Sequence, residues 1–237
     1  MTENENEWVR AAVRNNAEWC DAVCRAHGLA GEFREGVWSS ARRTPPLYPD
    51  AVSLTPEVSA ADLVARIDTA VPGCSVKDSF ACLDLEPLGF EVLFEAQWIH
   101  RPADKPVPKS RAQDVTWEPI EDAGSLPAWE AAWNEGEAGD GLFRPGLLDG
   151  NSTFLAGRCE GRIVAGAVAS RSASVVGVSN LFTSADEESA WAGVLTEAAR
   201  LWPGLPVVGY ESGDSLEAAV RQGFTPVGPL RVWLHTA

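Results

Sequence analysis

The sequence GYESGDSLEAAVRQGF, residues Gly209–Phe224, carries the pattern that decides the fold. It continues the apolar run of residues 205–208 and then changes to a polar Gly-Asp-Ser segment, a short helical pattern and a Gly-Phe pair. A short apolar run that ends in turn residues is typical of a buried strand. We therefore predict a strand over 205–211, a turn at Gly213–Ser215 and a short helix that ends at Gly223.

The overall composition indicates a folded chain that avoids polyanions. Its 237 residues allow one large domain or two small ones, and 45% of them are hydrophobic, which is enough for a core. The formal net charge of -15 repels phosphate backbones and anionic bilayers, so we expect no nucleic-acid and no membrane partner. No apolar run reaches the roughly 18 residues of a membrane span. The acidic start MTENENEW lacks the features of a secretion signal, so a cytoplasmic location is expected.

Cysteine and histidine spacing predicts no metal site. The five cysteines are odd in number and match no strong zinc pattern, and the three histidines are isolated from one another. Cys20 and Cys24 lie four residues apart on a predicted helix, where they are expected to be small buried hydrophobes.

A proline-rich and basic segment over 101–114 separates two halves of the chain. Such a segment has little to bury and is typical of a linker, so the basic residues from Arg101 to Arg111 are expected to be solvated. We predict an N-terminal domain over 1–103, a linker over 104–114 and a C-terminal domain over 115–237.

Apolar periodicity and turn residues predict alternating helices and strands in both halves. Helices are predicted over 7–29, 60–70, 79–86, 125–136, 142–149 and 184–202. Strands are predicted over 50–55, 74–76, 89–100, 115–120, 173–183 and 225–235, the last interrupted at Gly228-Pro229. A hairpin is predicted over 152–172 with its turn at Glu160-Gly161.

The two halves share an order of short signals that indicates an internal repeat. In the first half, a strand ending at Thr55 is followed by Pro72-Gly73, Asp78-Ser79, Gly89-Phe90 and Trp98-Ile99-His100. In the second half, a strand ending at Thr183 is followed by Pro203-Gly204, Asp214-Ser215, Gly223-Phe224 and Trp233-Leu234-His235. The spacings differ by a few residues, as loops allow. We therefore predict a duplicated unit whose first copy is incomplete.

With this order of elements, residues 113–237 resemble a GNAT-type acyltransferase domain. The resemblance rests on the series strand, helices, three-strand meander, long helix, strand, short helix and closing strands. It also rests on NLFT at the end of the fourth strand and on the short helix that runs into Gly223-Phe224. It implies an α/β (α+β) fold with a mixed, mostly antiparallel sheet flanked by helices, preceded by a partial copy of the same unit.

The resemblance also implies a site for acetyl-CoA or another acyl-CoA in a gap between the fourth and fifth strands. Leu181, Phe182 and Thr183 would pair with the pantetheine arm. Amides at the start of the next helix would hold the pyrophosphate, because free N–H groups and the helix dipole favour anions. The cofactor-binding residues implied at that start are Ser184, Glu188, Ser189 and Ala190.

Two features depart from the family pattern. The phosphate loop usually reads Arg/Gln-x-x-Gly-x-Gly/Ala, whereas residues 183–190 hold no glycine and no base but three acids. Carboxylates there repel a pyrophosphate, but they also stabilise a helix start, for which Ser184 is the predicted cap. The tyrosine that commonly protonates the leaving thiolate would fall at position 219, which is alanine.

The end of the fifth strand supplies the candidate catalytic residues Glu211 and Tyr210. Glu211 would take a proton from an amine, which a partly buried carboxylate can do near neutral pH; the alternative is a solvated loop carboxylate. Ser212, Asp214 and Ser215 are candidate substrate-binding residues, although Gly-Asp-Ser is also an ordinary turn and helix cap.

The ten tryptophans are expected to be mainly core anchors, with a tryptophan-lined ligand cleft as the alternative. Two functions follow. The first is an acyl-CoA-dependent N-acyltransferase that acts on a small-molecule or protein amine. A homodimer is a possible assembly. The second is a catalytically degenerate GNAT-like module that binds a small molecule or a protein. A third, another reaction on the same scaffold, stays open because fold does not fix function.

Overall fold

A computed structural model describes residues 3–109, 114–137, 139–148 and 150–236. Contacts between residues divide the chain into two units, Met1–Trp98 with Val227–Ala237, and Ile99–Pro226. The linker predicted over 104–114 falls within the second unit, and residues 110–113 of it lie outside the described residues. The predicted domain boundaries therefore stay a prediction.

The described chain contains helices interspersed among single strands and runs of strands. In order, the elements are α1 (Glu3–Ala26), β1 (Gly31–Arg34), β2 (Val37–Ser40), β3 (Ala51–Ser53), α2 (Ala60–Val64), β4 (Ser75–Asp78), β5 (Phe90–Arg101), β6 (Thr116–Pro119), α3 (Leu126–Trp133), β7 (Ser152–Cys159), β8 (Arg162–Arg171), β9 (Val176–Thr183), α4 (Glu187–Leu201), β10 (Val207–Glu211), α5 (Gly213–Arg221) and β11 (Thr225–His235). Single 3₁₀ turns lie at Glu86–Leu88 and Pro145–Leu147. Among the described helices, none combines the length and the apolar character needed to cross a bilayer.

The first unit contains strands in the order β1, β2, β3, β4, β11, β5. β3 and β4 run parallel, whereas β1 with β2, β2 with β3 and β4 with β11 are antiparallel. A buried cluster that includes Val37, Leu63, Phe90 and Trp233 forms its core. The hairpin of β1 and β2 has no counterpart among the sequence predictions. Its turn residues, Glu35 at φ 38° and Gly36 at φ 84°, both take the left-handed conformation that tight hairpins require.

The second unit contains strands in the order β10, β9, β8, β7, β6. β9 and β10 run parallel, whereas β6 to β9 form an antiparallel meander. This confirms the predicted mixed, mostly antiparallel sheet, and the predicted turn at Glu160-Gly161 is confirmed between β7 and β8. The core packs α4 and α5 onto the sheet through residues such as Trp191, Ala219 and Phe224.

The Gly-Phe pair at the end of the opening stretch is a helix stop joined to a core anchor. Gly223 takes φ 92°, a conformation that suits glycine after a helix. The amide of Phe224 donates to the carbonyl of Ala219 at 3.1 Å. The Phe224 ring then packs on Trp191, with 4.7 Å between ring centroids. The pair therefore fixes where α5 ends and seats it on α4.

Three predictions about helices are wrong. α4 begins at Glu187 with Asp186 as its cap, not at Ser184, because the Ser184 amide donates to the Val164 carbonyl and prolongs the strand pairing. α5 begins at Gly213, so the predicted Gly213–Ser215 turn is its first helical turn and Ser212 holds the cap position. Residues 79–86 form no α-helix, because the Asp78 carboxylate accepts hydrogen bonds from the amides of Phe80 and Leu83.

Two further expectations are corrected by the structure. β11 continues through Gly228-Pro229 without interruption, and Pro229 precedes the positions Arg231–Leu234 that pair with β4, so its missing amide hydrogen removes no bond to that strand. Arg101 is not solvated but 5% exposed, and donates to the carbonyls of Gln222 and Pro106 at 2.9 and 2.6 Å. Lys105 donates to the Gly223 carbonyl at 2.7 Å. Both cations therefore satisfy carbonyls at the end of α5.

The predicted repeat has one structural counterpart. In each unit a pair of parallel strands is joined by a helix, β3 to β4 through α2 and β9 to β10 through α4. The short helix that follows in the second unit has no α-helical equivalent at residues 79–86. The duplication itself stays a prediction.

Candidate functional site

The gap predicted between the fourth and fifth strands corresponds to β9 and β10. Their parallel pairing joins Val207 to Val176 and Val208 to Gly177. Both strands continue past these positions, β9 as far as Thr183 and β10 as far as Glu211. The predicted cofactor-binding and catalytic residues lie on these continuing parts of the two strands.

A β-bulge changes the course of β9 beside the gap. Gly166 of β8 faces Phe182, whereas Val168 faces Ser179, so β9 carries one extra residue between these partners. Asn180 lies in the bulge at φ 55°. Bulges re-aim the residues that follow them and occur next to active sites. Sequence reasoning missed this feature; its one signal is that asparagine accepts the left-handed conformation more readily than most residues.

Glu211 is a half-buried carboxyl at the last position of β10. Burial, and secondarily the negative charge of Glu187 on α4, raise its pKa from the ordinary value of 4.5 to about 8. A carboxyl with this pKa exchanges its proton close to neutral pH, which is the property of a general base. The alternative of a solvated loop carboxylate does not agree with this burial.

Tyr210, the second predicted catalytic residue, precedes Glu211 on the same strand. Successive side chains of a strand point to opposite faces. Tyr210 and Glu211 therefore do not approach a substrate from the same side of β10. Tyr210 is half-buried, and its catalytic role stays a prediction.

Ala219 lies at the position where the resemblance implies a tyrosine. It is fully buried on α5 and belongs to the core cluster of the second unit. A tyrosine ring would not fit there without displacing the core around Trp191, because protein interiors are close-packed. Position 219 therefore packs α5 and supplies no proton.

Hydrogen bonds within the chain occupy two amides that precede α4 and one in its first turn. The Ser184 amide donates to the Val164 carbonyl at 2.9 Å, and the Ala185 amide donates to Thr183 Oγ1 at 3.1 Å. The Ser189 amide donates to Asp186 Oδ2 at 2.9 Å. The Asp186 carboxylate thus sits where an anion would bind a helix start. These residues do not fit the pyrophosphate of acyl-CoA as they stand.

Glu188, implied as cofactor-binding, is part of a bridge between two helices. Its carboxylate pairs with Arg221 Nε at 2.6 Å and accepts from Gln222 Nε2 at 3.3 Å. Arg221 is the last residue of α5 and Gln222 is its C-cap. The two contacts of Glu188 therefore connect the start of α4 to the end of α5. Its role toward a cofactor stays a prediction.

The remaining predicted site residues lie in several different settings. Phe182, Thr183 and Ser184 line a cavity of about 580 Å³, and Thr183 with Ser189 and Ala190 lines a smaller one of about 50 Å³. Leu181 packs against the core. Ser212 and Asp214 are exposed, and Ser215 is half-buried in the first turn of α5. These three lie next to Glu211 in the chain and stay predicted substrate contacts.

The second unit thus combines an antiparallel meander with one parallel strand pair and a helix start beside that pair, which is a mixed α/β architecture. The structure resembles that of a GCN5-related N-acetyltransferase from Kribbella flavida, with a TM-score of 0.62, 16% identity, and coverage of 95% of this chain and 96% of that one. It also resembles a conserved protein of unknown function from Staphylococcus epidermidis, with a TM-score of 0.61, 10% identity, and coverage of 88% and 95%. A GCN5-related N-acetyltransferase-like protein from Streptococcus suis matches with a TM-score of 0.53, 12% identity, and coverage of 98% and 99%.

The chain therefore has the GNAT fold, that of the GCN5-related N-acetyltransferases, and the likeness covers both units. At these identities the likeness concerns the fold alone. No protein-family profile and no curated protein sequence matches the chain.

Proposed function

We propose that the chain is an acyl-CoA-dependent N-acyltransferase that holds a primary amine beside Glu211. The observation that carries this proposal is the position of Glu211 at the end of β10, where its pKa is raised to about 8. A base of this kind would accept the proton that the amine loses as its nitrogen forms the amide bond. The carbon–sulfur bond of the thioester would break in the same reaction, and the thiolate would leave as the thiol with a proton from Glu211 or from water. The GNAT fold of the whole chain supports the same chemistry.

The charges around Glu211 favour a cationic acceptor. Asp186, Glu187 and Glu188 lie at the start of α4, and the charge of Glu187 acts on Glu211 directly. A protonated amine is drawn to such a group of carboxylates, whereas an anionic acceptor is repelled. We therefore propose a small-molecule amine as the acceptor.

The two ends of an acyl-CoA donor fit the site differently. Leu181, Phe182 and Thr183, which are half-buried beyond the positions where β9 pairs with β10, would hold the thioester arm. A bound donor would supply an acyl group activated as a thioester. Because the Asp186 carboxylate accepts from the Ser189 amide, it would repel the pyrophosphate, and we expect weak binding of acyl-CoA.

The test is a transfer assay with acetyl-CoA and a panel of primary amines, with the N-acetyl product detected by mass spectrometry. Wild type is expected to form product, and Glu211→Gln is expected to lose about 100-fold in rate, the scale of general-base catalysis. The matched control is Glu217→Gln, an exposed carboxylate on α5. Equal rates for wild type and Glu211→Gln would contradict the proposal.

A second candidate is favoured by the bond between Asp186 and Ser189. A chain that supplies its own anion to the helix start needs no phosphate there, and Ala219 supplies no acid. These features suit a GNAT-fold module that binds an amine without transferring an acyl group to it. Amine binding without any shift in melting temperature at millimolar acetyl-CoA would select this candidate.

A further inference from the structure

Residues 91–95 (the β5 surface) form an exposed run within β5, in the first unit. Their central side chains, Val92, Leu93 and Phe94, are 42%, 54% and 38% exposed. Successive side chains of a strand point to opposite faces. Three consecutive exposed residues therefore mean that the described chain covers neither face of β5 here. A contiguous exposed apolar group of this kind marks an interaction site.

The β5 surface borders a part of the strand edge that β10 does not reach. β5 passes into the second unit at Ile99, and there it lies beside β10. β10 has five residues, whereas β5 has twelve. The middle residue of β10 is Gly209, and a Cβ on it would lie 3.8 Å from Ile99 Cγ1. Five residues centred there reach only the C-terminal half of β5, so the β5 surface lies beyond the end of β10.

β11 occupies the opposite edge of β5 in the first unit. The Thr236 amide donates to the Gly89 carbonyl at 3.0 Å, next to the start of β5. Further along, Arg231 Nη2 of β11 pairs with Glu95 Oε1 at 2.6 Å. One edge of β5 is thus paired along the β5 surface, whereas the other extends past its neighbour. A strand edge of this second kind is a template for pairing with another strand.

The exposed apolar side chains favour an added strand over a helix as the partner. A helix packs on one face of a sheet, so it would cover either Leu93 or the pair of Val92 and Phe94. A strand that pairs with the free edge has side chains on both faces, because its own residues alternate in the same way. An extended segment added to a sheet edge gains affinity from main-chain hydrogen bonds and specificity from these alternating side chains.

Two carboxylates flank the apolar residues and set the charge of the partner. Glu91 and Glu95 are both exposed. Glu95 is paired with Arg231, whereas none of the described residues forms an ion pair with Glu91. A basic side chain opposite Glu91 on an added strand would form such a pair, and opposite charges across neighbouring strands stabilise their pairing.

A second copy of this chain fits the β5 surface poorly. Antiparallel pairing of two copies about Leu93 places Val92 opposite Phe94, but it also places Glu91 opposite Glu95 of the other copy. Like charges directly opposite one another destabilise a sheet. The net charge of -15 on each chain opposes the association further. A strand with basic flanks avoids both penalties.

We propose that the β5 surface binds an extended segment of a partner protein as an added strand, with apolar residues opposite Val92 to Phe94 and a basic residue opposite Glu91. The surface belongs to the first unit, so the proposal does not depend on acyl transfer at the gap between β9 and β10. It holds for an acyltransferase and for a binding module alike.

Fluorescence anisotropy with the labelled peptide SKVIVKS tests the proposal. The acidic peptide SEVIVES is the charge control. The peptide SKVPVKS is the pairing control, because proline lacks the amide hydrogen that a sheet requires. SKVIVKS is expected to bind at least about tenfold more tightly than either control. No saturable binding of SKVIVKS, or equal affinity for the three peptides, would overturn the proposal.

Two pairs of variants locate the peptide. Leu93→Lys places a charge at the centre of the β5 surface and is expected to weaken SKVIVKS at least about tenfold. Val220→Lys, at an exposed valine on α5, is expected to leave it unchanged. Glu91→Lys is expected to abolish the preference for SKVIVKS over SEVIVES, and Glu57→Lys, an exposed carboxylate in a loop, is expected to keep it.

Far-UV circular dichroism establishes that each variant folds, which is expected because all four positions are exposed. Unchanged affinity in folded Leu93→Lys would overturn the β5 surface as the site. A preference that survives Glu91→Lys would overturn the charge assignment. Light scattering is expected to show a monomer for wild type. A dimer that Leu93→Lys dissociates would assign the β5 surface to a second copy and overturn the proposal of a basic partner.

Discussion

The carboxylate of Asp186 accepts a hydrogen bond from the amide of Ser189 at 2.9 Å and so occupies the start of α4. This is the position at which the GNAT fold is expected to hold the pyrophosphate of its cofactor. The chain thus has the strands of the fold, but the Asp186 carboxylate occupies the helix start in place of a bound anion. Substitution of Asp186 tests whether this carboxylate weakens the binding of the cofactor.

Asp186→Asn is expected to strengthen acetyl-CoA binding about fivefold or more, because it removes a negative charge beside the pyrophosphate. Asparagine caps a helix as well as aspartate does, so the melting temperature should change little. Asp186→Ala removes the cap and should cost about 1 kcal/mol of unfolding free energy. Calorimetry and urea unfolding measure the two effects separately. Weaker acetyl-CoA binding in Asp186→Asn would contradict the argument.

The pKa of Glu211 predicts a pH-dependent stability. Between 4.5 and about 8 the folded chain holds a proton on Glu211 that the unfolded chain has released. Raising the pH through this interval therefore removes stability, and the loss is complete above about 8. Glu211→Gln lacks this effect, so its stability relative to wild type should increase from pH 5 to pH 8 and then level off. Urea unfolding at a series of pH values measures it.

The pKa of His100 is shifted in the opposite direction to that of Glu211, so it contributes to the pH dependence of stability with the opposite sign. Burial, and secondarily the charge of Lys105, lower its pKa from 6.5 to about 4. Its contribution to stability is therefore lost as the pH falls from 6.5 toward 4. The difference between wild type and Glu211→Gln cancels this contribution. A difference that does not vary with pH would show that Glu211 has an ordinary pKa.

Gly193→Ala should destabilise the chain although it lies within α4. Alanine is ordinarily favoured over glycine in a helix by about 1 kcal/mol. Here a Cβ would overlap the indole ring of Trp117, and overpacking of this kind costs about 1–3 kcal/mol. In a Trp117→Ala background the overlap is gone, and the same substitution should become stabilising. Urea unfolding of the four chains tests this change of sign; a stabilised single variant would refute it.

Glu130→Gln should cost about 2 kcal/mol of unfolding free energy. The carboxylate accepts from three backbone amides, and an amide group in its place would turn a donor toward one of them. Glu137→Gln, on an exposed residue, should stay within about 0.5 kcal/mol of wild type. Thermal and urea unfolding provide the measurement. Equal stability of the two variants would show that the loop over 141–143 is held by other contacts.

Arg101→Met should destabilise the chain by about 2 kcal/mol, because it leaves the carbonyl of Gln222 at the end of α5 and that of Pro106 without their buried charged donor. Lys105→Met removes one exposed bond and should cost less than about 1 kcal/mol. Urea unfolding of both variants checks the order. A larger effect for Lys105→Met would contradict the burial-based ranking.

Sequence patterns predicted the second unit well where one local signal governs each element. The run before Tyr210 became β10, and Gly223-Phe224 ends α5 as expected. Helix starts were less predictable, because Ser184 and Asp186 both have capping side chains. The helix begins after Asp186 because the Ser184 amide donates to the Val164 carbonyl of β8, a partner on a different strand.

Features that depend on contacts distant in sequence could not be predicted. The bulge at Asn180 depends on the register with β8. The cavity of about 580 Å³ brings together Trp133 of α3 and Phe182 of β9, which no local pattern connects. One local feature was missed as well: Asp78, only two and five residues away, accepts hydrogen bonds from the Phe80 and Leu83 amides and so prevents the helix that apolar spacing had suggested.

The pH dependence of N-acetyl product formation from acetyl-CoA and a primary amine tests the central claim most directly. With Glu211 as the base, the wild-type rate should rise with pH and reach its plateau above about 8, while Glu211→Gln should be slower by about 100-fold and lack that rise. A wild-type profile that Glu211→Gln reproduces, in shape and in rate, would contradict the claim.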